Sequence, residues 1–199
     1  MRVVAGTARG RRLEAPPGSS VRPTTDRVRE SVFNSLGSSG LVVDAAVLDL
    51  FAGTGALGIE ALSRGARRAT FVERDRVAAD TVRANLERTG LADRSQVVGV
   101  DAIEFVRRTA SAGADDPYDL VLLDPPYAFD GWPALLAAVG TRWPGACVVA
   151  ESDRPLGDAV TDASERLVTV RRYGTTVVTI FRAAEDQDRG GDPDADGPD

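Results

Sequence analysis

The 199 residues are 43% hydrophobic and 27% charged, the balance of an ordinary globular domain, and no apolar run approaches the ~20 residues a membrane span needs. One cysteine and no histidine exclude disulfides, Cys/His zinc sites, histidine general bases and Ser-His-Asp triads. The formal net charge of −6 is concentrated at one end: residues 185–199 hold seven acids and one arginine, whereas residues 1–30 hold seven arginines against Glu14, Asp26 and Glu30.

In chain order, residues 1–14 read as a small β element, with a strand over Arg2-Val3-Val4-Ala5-Gly6, a turn at Thr7-Ala8-Arg9-Gly10 and a return strand Arg11-Arg12-Leu13-Glu14. Its Arg2, Arg9, Arg11 and Arg12 suit a phosphate-facing patch; an ordinary solvated basic surface is the equal alternative on this segment alone. The opening residues contain no apolar stretch of signal-peptide length, so a cytoplasmic protein is expected. A Pro/Gly/Ser loop over 15–23 leads to a helix capped by Thr24 or Thr25 and ended by Gly37. Val28, Val32, Phe33 and Leu36 form its apolar stripe.

From Val47 the pattern alternates. Strands are predicted at 47–51, 69–73, 97–100, 119–124 and 146–151, and helices at 55–64, 76–89, 102–110 and 132–139. Such alternation implies a parallel sheet with right-handed crossovers. Two β-rich runs, 165–173 and 175–181, flank Gly174 as a hairpin, one strand of which must enter the sheet antiparallel. The predicted organisation is an extension over 1–40, a main domain over 41–183 and a disordered acidic tail over 184–199.

Three stretches carry chemistry. Val47-Leu48-Asp49-Leu50-Phe51-Ala52-Gly53-Thr54-Gly55 is a buried strand turning through two glycines into a helix, which points free N–H groups at whatever sits in the turn. A tight β–α connection without a ligand is the plain alternative. Glu73 ends the next strand about 20 residues after Gly53, the spacing at which an acid reaches ribose hydroxyls. Asp101 reads first as a helix N-cap. Cys147 reads as a buried strand residue rather than a nucleophile.

The sharpest signal is Asp124-Pro125-Pro126-Tyr127, at the carboxyl end of a strand expected beside the one bearing Asp49. Two rigid prolines offer carbonyl acceptors beside a carboxylate, with an aromatic ring next along. That set suits a planar group bearing an exocyclic amine, such as a nucleobase.

With Asp49-Leu50-Phe51-Ala52-Gly53-Thr54-Gly55, this motif resembles the S-adenosylmethionine-dependent methyltransferases that act on exocyclic amines. Residues 2–11, Arg22-Pro23-Thr24-Thr25-Asp26-Arg27-Val28-Arg29-Glu30 with Phe33-Asn34, and Gly58-Ile59-Glu60-Ala61-Leu62-Ser63-Arg64-Gly65-Ala66 narrow the resemblance to the RsmD-type 16S ribosomal RNA guanine-N2 methyltransferases, over roughly residues 1–182. The resemblance implies a Rossmann-like α/β fold of class I methyltransferases: a seven-stranded, mostly parallel sheet with one antiparallel strand and helices on both faces. It implies S-adenosylmethionine as cofactor, with residues 49–55 (Asp49, Phe51, Ala52, Gly53 and Gly55 among them) around its methionine part, Glu73 on the ribose, and Asp101 with the Ala102 backbone at the adenine. Asp124, Pro125, Pro126 and Tyr127 would hold the target base, with Asp124 also bordering the cofactor. RNA contacts would come from Arg2, Arg9, Arg11, Arg12, Arg22, Thr24 and Arg27. The expected partner is 16S rRNA or an assembling small subunit, met by a monomer without metal or membrane. Two alternatives stay open: a DNA adenine-N6 or cytosine-N4 methyltransferase sharing the Asp-Pro-Pro-Tyr motif, and a nucleotide-binding oxidoreductase, since Gly53-x-Gly55-x-x-Gly58 formally matches a dinucleotide fingerprint. Against the first stands the lack of room for a separate target-recognition domain; against the second, the idle Asp-Pro-Pro-Tyr motif.

Overall fold

The computed structural model describes residues 1–16, 26–111, 117–157 and 166–183. The elements run α1 (Asp26–Ser38), β1 (Ala46–Leu50), α2 (Ala56–Ser63), β2 (Arg68–Val72), α3 (Arg76–Thr89), β3 (Ser95–Val98), α4 (Ala102–Ser111), β4 (Leu120–Leu123), α5 (Trp132–Arg142), β5 (Cys147–Ser152), β6 (Arg166–Tyr173) and β7 (Thr176–Ala183). They build one seven-stranded sheet in the order β3-β2-β1-β4-β5-β7-β6. β1 through β5 are mutually parallel, and β7 lies antiparallel to both β5 and β6. The expected fold is therefore the observed one, down to the single reversed strand.

The central strands are buried along their whole length because helices cover both faces, which is why they read as continuous apolar runs. The pleat sorts their side chains. Val47, Phe71, Leu120, Leu122 and Val149 face α1, α2 and α3, where Phe33, Leu36, Ile59, Leu62 and Leu86 meet them. Leu48, Leu50, Val121, Leu123 and Val148 face α4 and α5, meeting Val106, Trp132, Leu135 and Val139. Full burial of such a side chain contributes roughly 1.5–3 kcal/mol. Cys147 is buried on the first face, as its strand position implied.

Three expectations need correction. The first helix does not stop at Gly37 but runs through it to Ser38. Its terminator is Gly40, at φ 69°, where the Gly40 N–H donates to the Gly37 carbonyl (3.1 Å) and the Leu41 N–H to the Leu36 carbonyl (3.0 Å). This left-handed cap seats Leu41 on the core beside Leu36. The strand predicted at 97–100 lies at 95–98, because the short 3₁₀ turn Ala92–Arg94 delivers the chain early to its pairing with β2. At the N-terminus the expected two-stranded ladder shrinks to a single antiparallel bridge between Arg2 and Arg12, flanked by a few turn hydrogen bonds.

The N-terminal backbone has another partner. The amides of Val4 and Ala5 donate to the two carboxylate oxygens of Glu60, at 2.8 and 3.0 Å. Glu60, on α2, is fully buried and also meets Arg64 Nε at 2.7 Å and Arg29 Nε at 3.5 Å. Removing one member of a buried charged set of this kind costs about 3–5 kcal/mol, since the others are left uncompensated. Val3, Ala8 and Leu13 complete the docking by joining the core under α1 and α2. The Thr24/Thr25 cap, Arg22, and the acidic tail lie outside the described residues.

Candidate active site

Parallel strands deliver their carboxyl ends to one edge of the sheet, and there the chain opens a cavity of about 940 Å³. Asp49, Phe51, Ala52 and Gly53 after β1, Glu73 after β2, Asp101 and Ala102 at the start of α4, and Asp124, Pro125, Pro126 and Tyr127 after β4 all line it. Register explains the gathering: Leu50 pairs with Val72 on one side and Leu123 on the other, so the residues that follow leave the sheet side by side.

The turn after β1 is held by acids. The Gly58 N–H donates to Asp49 Oδ2 at 2.9 Å, tying the strand to the first turn of α2. The Gly53 N–H donates to Glu73 Oε2, and the Asp75 N–H to Oε1, both at 2.9 Å. Glu73 thus anchors the turn, while each of its oxygens keeps a second lone pair for a ligand. Burial pushes the Asp49 carboxyl up to about 8, the Gly58 N–H opposing and the charge of Glu73 adding to the shift. Phe51 adopts φ 63°, a conformation that costs a non-glycine residue of order 1–3 kcal/mol and concentrates at functional sites. Its ring packs on Phe129 at 5.5 Å, and Phe129 on Trp132 at 5.4 Å.

The three glycines divide the work differently from the sequence reading. A Cβ built on Gly53 would meet only the Phe51 carbonyl, at 3.9 Å, so the space beside it is the cavity. Gly55 does not itself line the cavity. It caps α2 at φ 76° with its open side toward Val82, Ile59 and Phe71. Gly58 serves packing, since a Cβ there would lie 2.4 Å from the Phe71 ring.

Asp101 Oδ1 accepts from the Ile103 and Glu104 amides at 2.9 and 3.3 Å, so it caps α4 as expected. Its other oxygen forms an exposed 3.5 Å pair with Arg74. In the Asp-Pro-Pro-Tyr turn, the Phe129 N–H takes the Pro126 carbonyl at 2.8 Å. Of the two expected acceptors, the Pro126 carbonyl is thus shared with a turn amide, while that of buried Pro125, beside half-buried Asp124, is the more open one. The Tyr127 ring is 39% exposed, and its hydroxyl lies 3.4 Å from Thr176 Oγ1.

Of the N-terminal arginines, Arg2 and Arg11 donate to the carbonyls of Gly10 (2.9 Å) and Arg88 (2.7 Å), while Arg9, Arg12 and Arg27 are exposed. None of these five lines the cavity. Several lining residues were not singled out as site residues in the sequence reading, Arg29, Arg74, Asp130 and Glu151 being the charged ones. Glu151, nearly buried, is the penultimate residue of β5, where an acid closing the apolar run Cys147-Val148-Val149-Ala150 could have been noticed. Arg29 lies on the buried face of α1, where an arginine at helical spacing from Val32 and Phe33 announces a buried partner. Its Nη2 donates to the Arg2 carbonyl and to Asp26 Oδ1, while Nε and Nη1 make no hydrogen bond.

Among the described residues no cluster of His, Cys, Asp or Glu could hold a metal ion, and no helix is long and apolar enough to cross a membrane. The fold and its cavity define a class I S-adenosylmethionine-dependent methyltransferase. The family model described as "Conserved hypothetical protein 95" matches residues 1–182, and the chain belongs to this family, the RsmD-type methyltransferases. YlbH of Bacillus subtilis (strain 168) is 39% identical over 92% of this chain and 98% of its own length. "Ribosomal RNA small subunit methyltransferase D" of Escherichia coli (strain K12) is 43% identical over 64% of this chain and 60% of that one. Among solved structures, a hypothetical protein of Thermus thermophilus superposes with a TM-score of 0.75 at 30% identity, covering 92% of this chain and 99% of that one.

Proposed function

We propose that the chain transfers a methyl group to the exocyclic N2 amine of a guanine in small-subunit (16S) ribosomal RNA. The observation that carries this reading is the carboxylate of Asp124 beside the open carbonyl of Pro125, at the mouth of a cavity that Gly53, Glu73 and Asp101 also line. The relatives named for small-subunit rRNA support the substrate.

S-adenosylmethionine supplies, when bound, a methyl group electrophilic enough that the protein needs no covalent nucleophile. The residues present fit it. The turn at Asp49–Gly53 leaves room against the main chain for the methionine part, Glu73 offers its remaining lone pairs to the ribose hydroxyls, and Asp101 with the Ala102 backbone borders the adenine. A guanine amine is a weak nucleophile because its lone pair is shared with the ring. Asp124 and the Pro125 carbonyl accept its two hydrogens, which favours a pyramidal nitrogen and holds its lone pair toward the methyl. Tyr127 stacks on the base drawn out of its surroundings. Catalysis is then positioning plus a negative charge placed where positive charge develops.

The extension over residues 1–40 supplies RNA contacts through Arg2, Arg9, Arg11, Arg12 and Arg27, with Arg22 and Thr24 in the same block. In this reading a monomer acting in the cytoplasm is the working unit. The test is mass mapping of 16S rRNA from a strain lacking the gene: one guanine loses a methyl group and regains it on complementation. An unchanged map would refute the assignment.

A further inference from the structure

Beside the cavity, helix α1 and the edge strand β6 enclose a second, open groove of about 520 Å³. Its α1 wall presents Arg27, Glu30, Ser31, Asn34, Ser35 and Ser38, and its β6 wall presents Arg171. Arg27 and Arg171 are exposed, and their side chains form no hydrogen bond or ion pair among the described residues. The walls are pinned together by the hydroxyls of Ser31 and Tyr173 at 2.8 Å. At the far end of α1, Arg182 of β7 donates to Ser39 Oγ at 3.2 Å. Arginines therefore flank this 13-residue helix, roughly 20 Å long, with hydroxyl and amide side chains between them.

The groove is joined to the target-base motif by the β6–β7 turn. Tyr173, which touches α1, pairs in register with Thr176 across the turn, and Thr176 Oγ1 lies 3.4 Å from the Tyr127 hydroxyl. A strand lying along α1 thus arrives beside Tyr127.

We propose that this groove holds the phosphodiester backbone of the RNA strand whose base enters the cavity, with Arg171 as a contact residue. The inference rests on the rRNA reading above and adds to the N-terminal block, Arg27 included, a contact from the C-terminal strand β6. Guanidinium forks match phosphate oxygens, and Ser and Asn side chains add neutral donors of the kind that position a nucleic acid without reading its bases. Glu30, the one acid on the groove, keeps a polyanion toward the β6 wall. Base selection is left to the cavity, and the groove sets strand direction and register.

The test uses the full-length protein, a small-subunit rRNA transcript and three variants. Arg171→Glu reverses the groove charge and Arg171→Lys keeps it. Arg67→Glu makes the same change of net charge at the amino edge of the sheet, before β2, away from the cavity. Arg171→Glu should weaken RNA binding about tenfold near physiological salt and lower the log–log salt slope by about 0.7 or more, the value per phosphate contact on a single strand. KM for RNA should rise with kcat and S-adenosylmethionine affinity unchanged. Arg67→Glu should stay within about twofold of wild type, and Arg171→Lys should keep the wild-type salt slope while weakening binding less than Arg171→Glu. Should Arg171→Glu fold poorly, Arg171→Gln is expected to shift binding in the same direction by a smaller factor. Arg171 and Arg67 reversals with matching affinities and salt slopes would overturn the groove alone. A wild-type protein that binds the transcript in an Arg171-dependent way yet methylates no guanine would overturn the function reading and leave the groove standing.

Discussion

The carboxyl edge of the sheet and the face formed by the N-terminal segment, α1 and β6 are neighbours built on opposite chemistry. At the sheet edge Glu73 and Asp124 follow β2 and β4, Asp49 and Glu151 sit in the last residues of β1 and β5, and the carboxyl groups of Asp49 and Glu73 are locked by backbone amides. On the other face arginines dominate, several of them exposed and without a partner among the described residues. The first arrangement presents fixed acceptors to a cation and to an amine; the second presents mobile donors to a polyanion. The difference teaches that the overall charge of −6 says little about the partner, because the two signs are sorted by place.

Breaking the acidic side at its centre should have the largest effect. Asp124→Asn keeps a hydrogen-bonding oxygen but removes a charge whose attraction grows as the amine becomes positive. Turnover should fall on the order of 10²–10³-fold, in kcat more than in KM, with folding and cofactor binding nearly normal. Steady-state methylation of small-subunit rRNA checks this.

Glu73→Ala should act one step down. It removes the ribose acceptor and also the anchor for the Gly53 and Asp75 amides. Loss of a hydrogen bond to a charged group costs about 1.5–3 kcal/mol, so calorimetry should show S-adenosylmethionine affinity reduced at least about tenfold. Unchanged affinity would remove Glu73 from the site.

On the arginine side, Arg9→Glu, Arg11→Glu and Arg12→Glu together should weaken RNA binding and flatten its salt dependence, with cofactor affinity retained. An unaltered salt slope would make these arginines ordinary surface.

A separate effect, on stability rather than on binding or turnover, concerns Asp49 and pH. Its carboxyl is raised from 3.8 to about 8, so between roughly pH 4 and 8 the folded protein holds a proton that the unfolded chain has released. The stability this contributes is complete below about pH 4 and is lost as pH rises toward 8. The ligand-free protein should therefore lose melting temperature between pH 5 and 8 more steeply than Asp49→Asn. Parallel curves would contradict the assignment.

Much of this contrast was legible before any coordinates. Periodicity located the sheet strands to within about two residues because central parallel strands are apolar throughout, and the Gly53 turn, Glu73 about 20 residues on and Asp124-Pro125-Pro126-Tyr127 marked the cavity. What escaped was decided by contacts between distant segments. The N-terminal strands failed to extend because Val4 and Ala5 spend their amides on Glu60, 55 or more residues away. Gly55 faces the core because Val82 and Phe71 arrive from α3 and β2. The Pro126 carbonyl is shared with a turn that only the backbone of Phe129 reveals. Arg29 and Glu151 were visible as charges on apolar stripes, a pattern that signals a buried partner or a cavity wall.

The central claim is tested most directly by the product itself. Purified protein, S-adenosylmethionine carrying a labelled methyl group, and small-subunit particles or their naked rRNA are incubated together, and the RNA is digested to nucleosides to identify the labelled base and to oligonucleotides to place it, both read by mass analysis. The account predicts label in N2-methylguanosine at a single position, reduced to about 1% or less by Asp124→Asn. Label on another base or atom, label transferred to DNA adenine or cytosine instead, or full labelling by Asp124→Asn would contradict it.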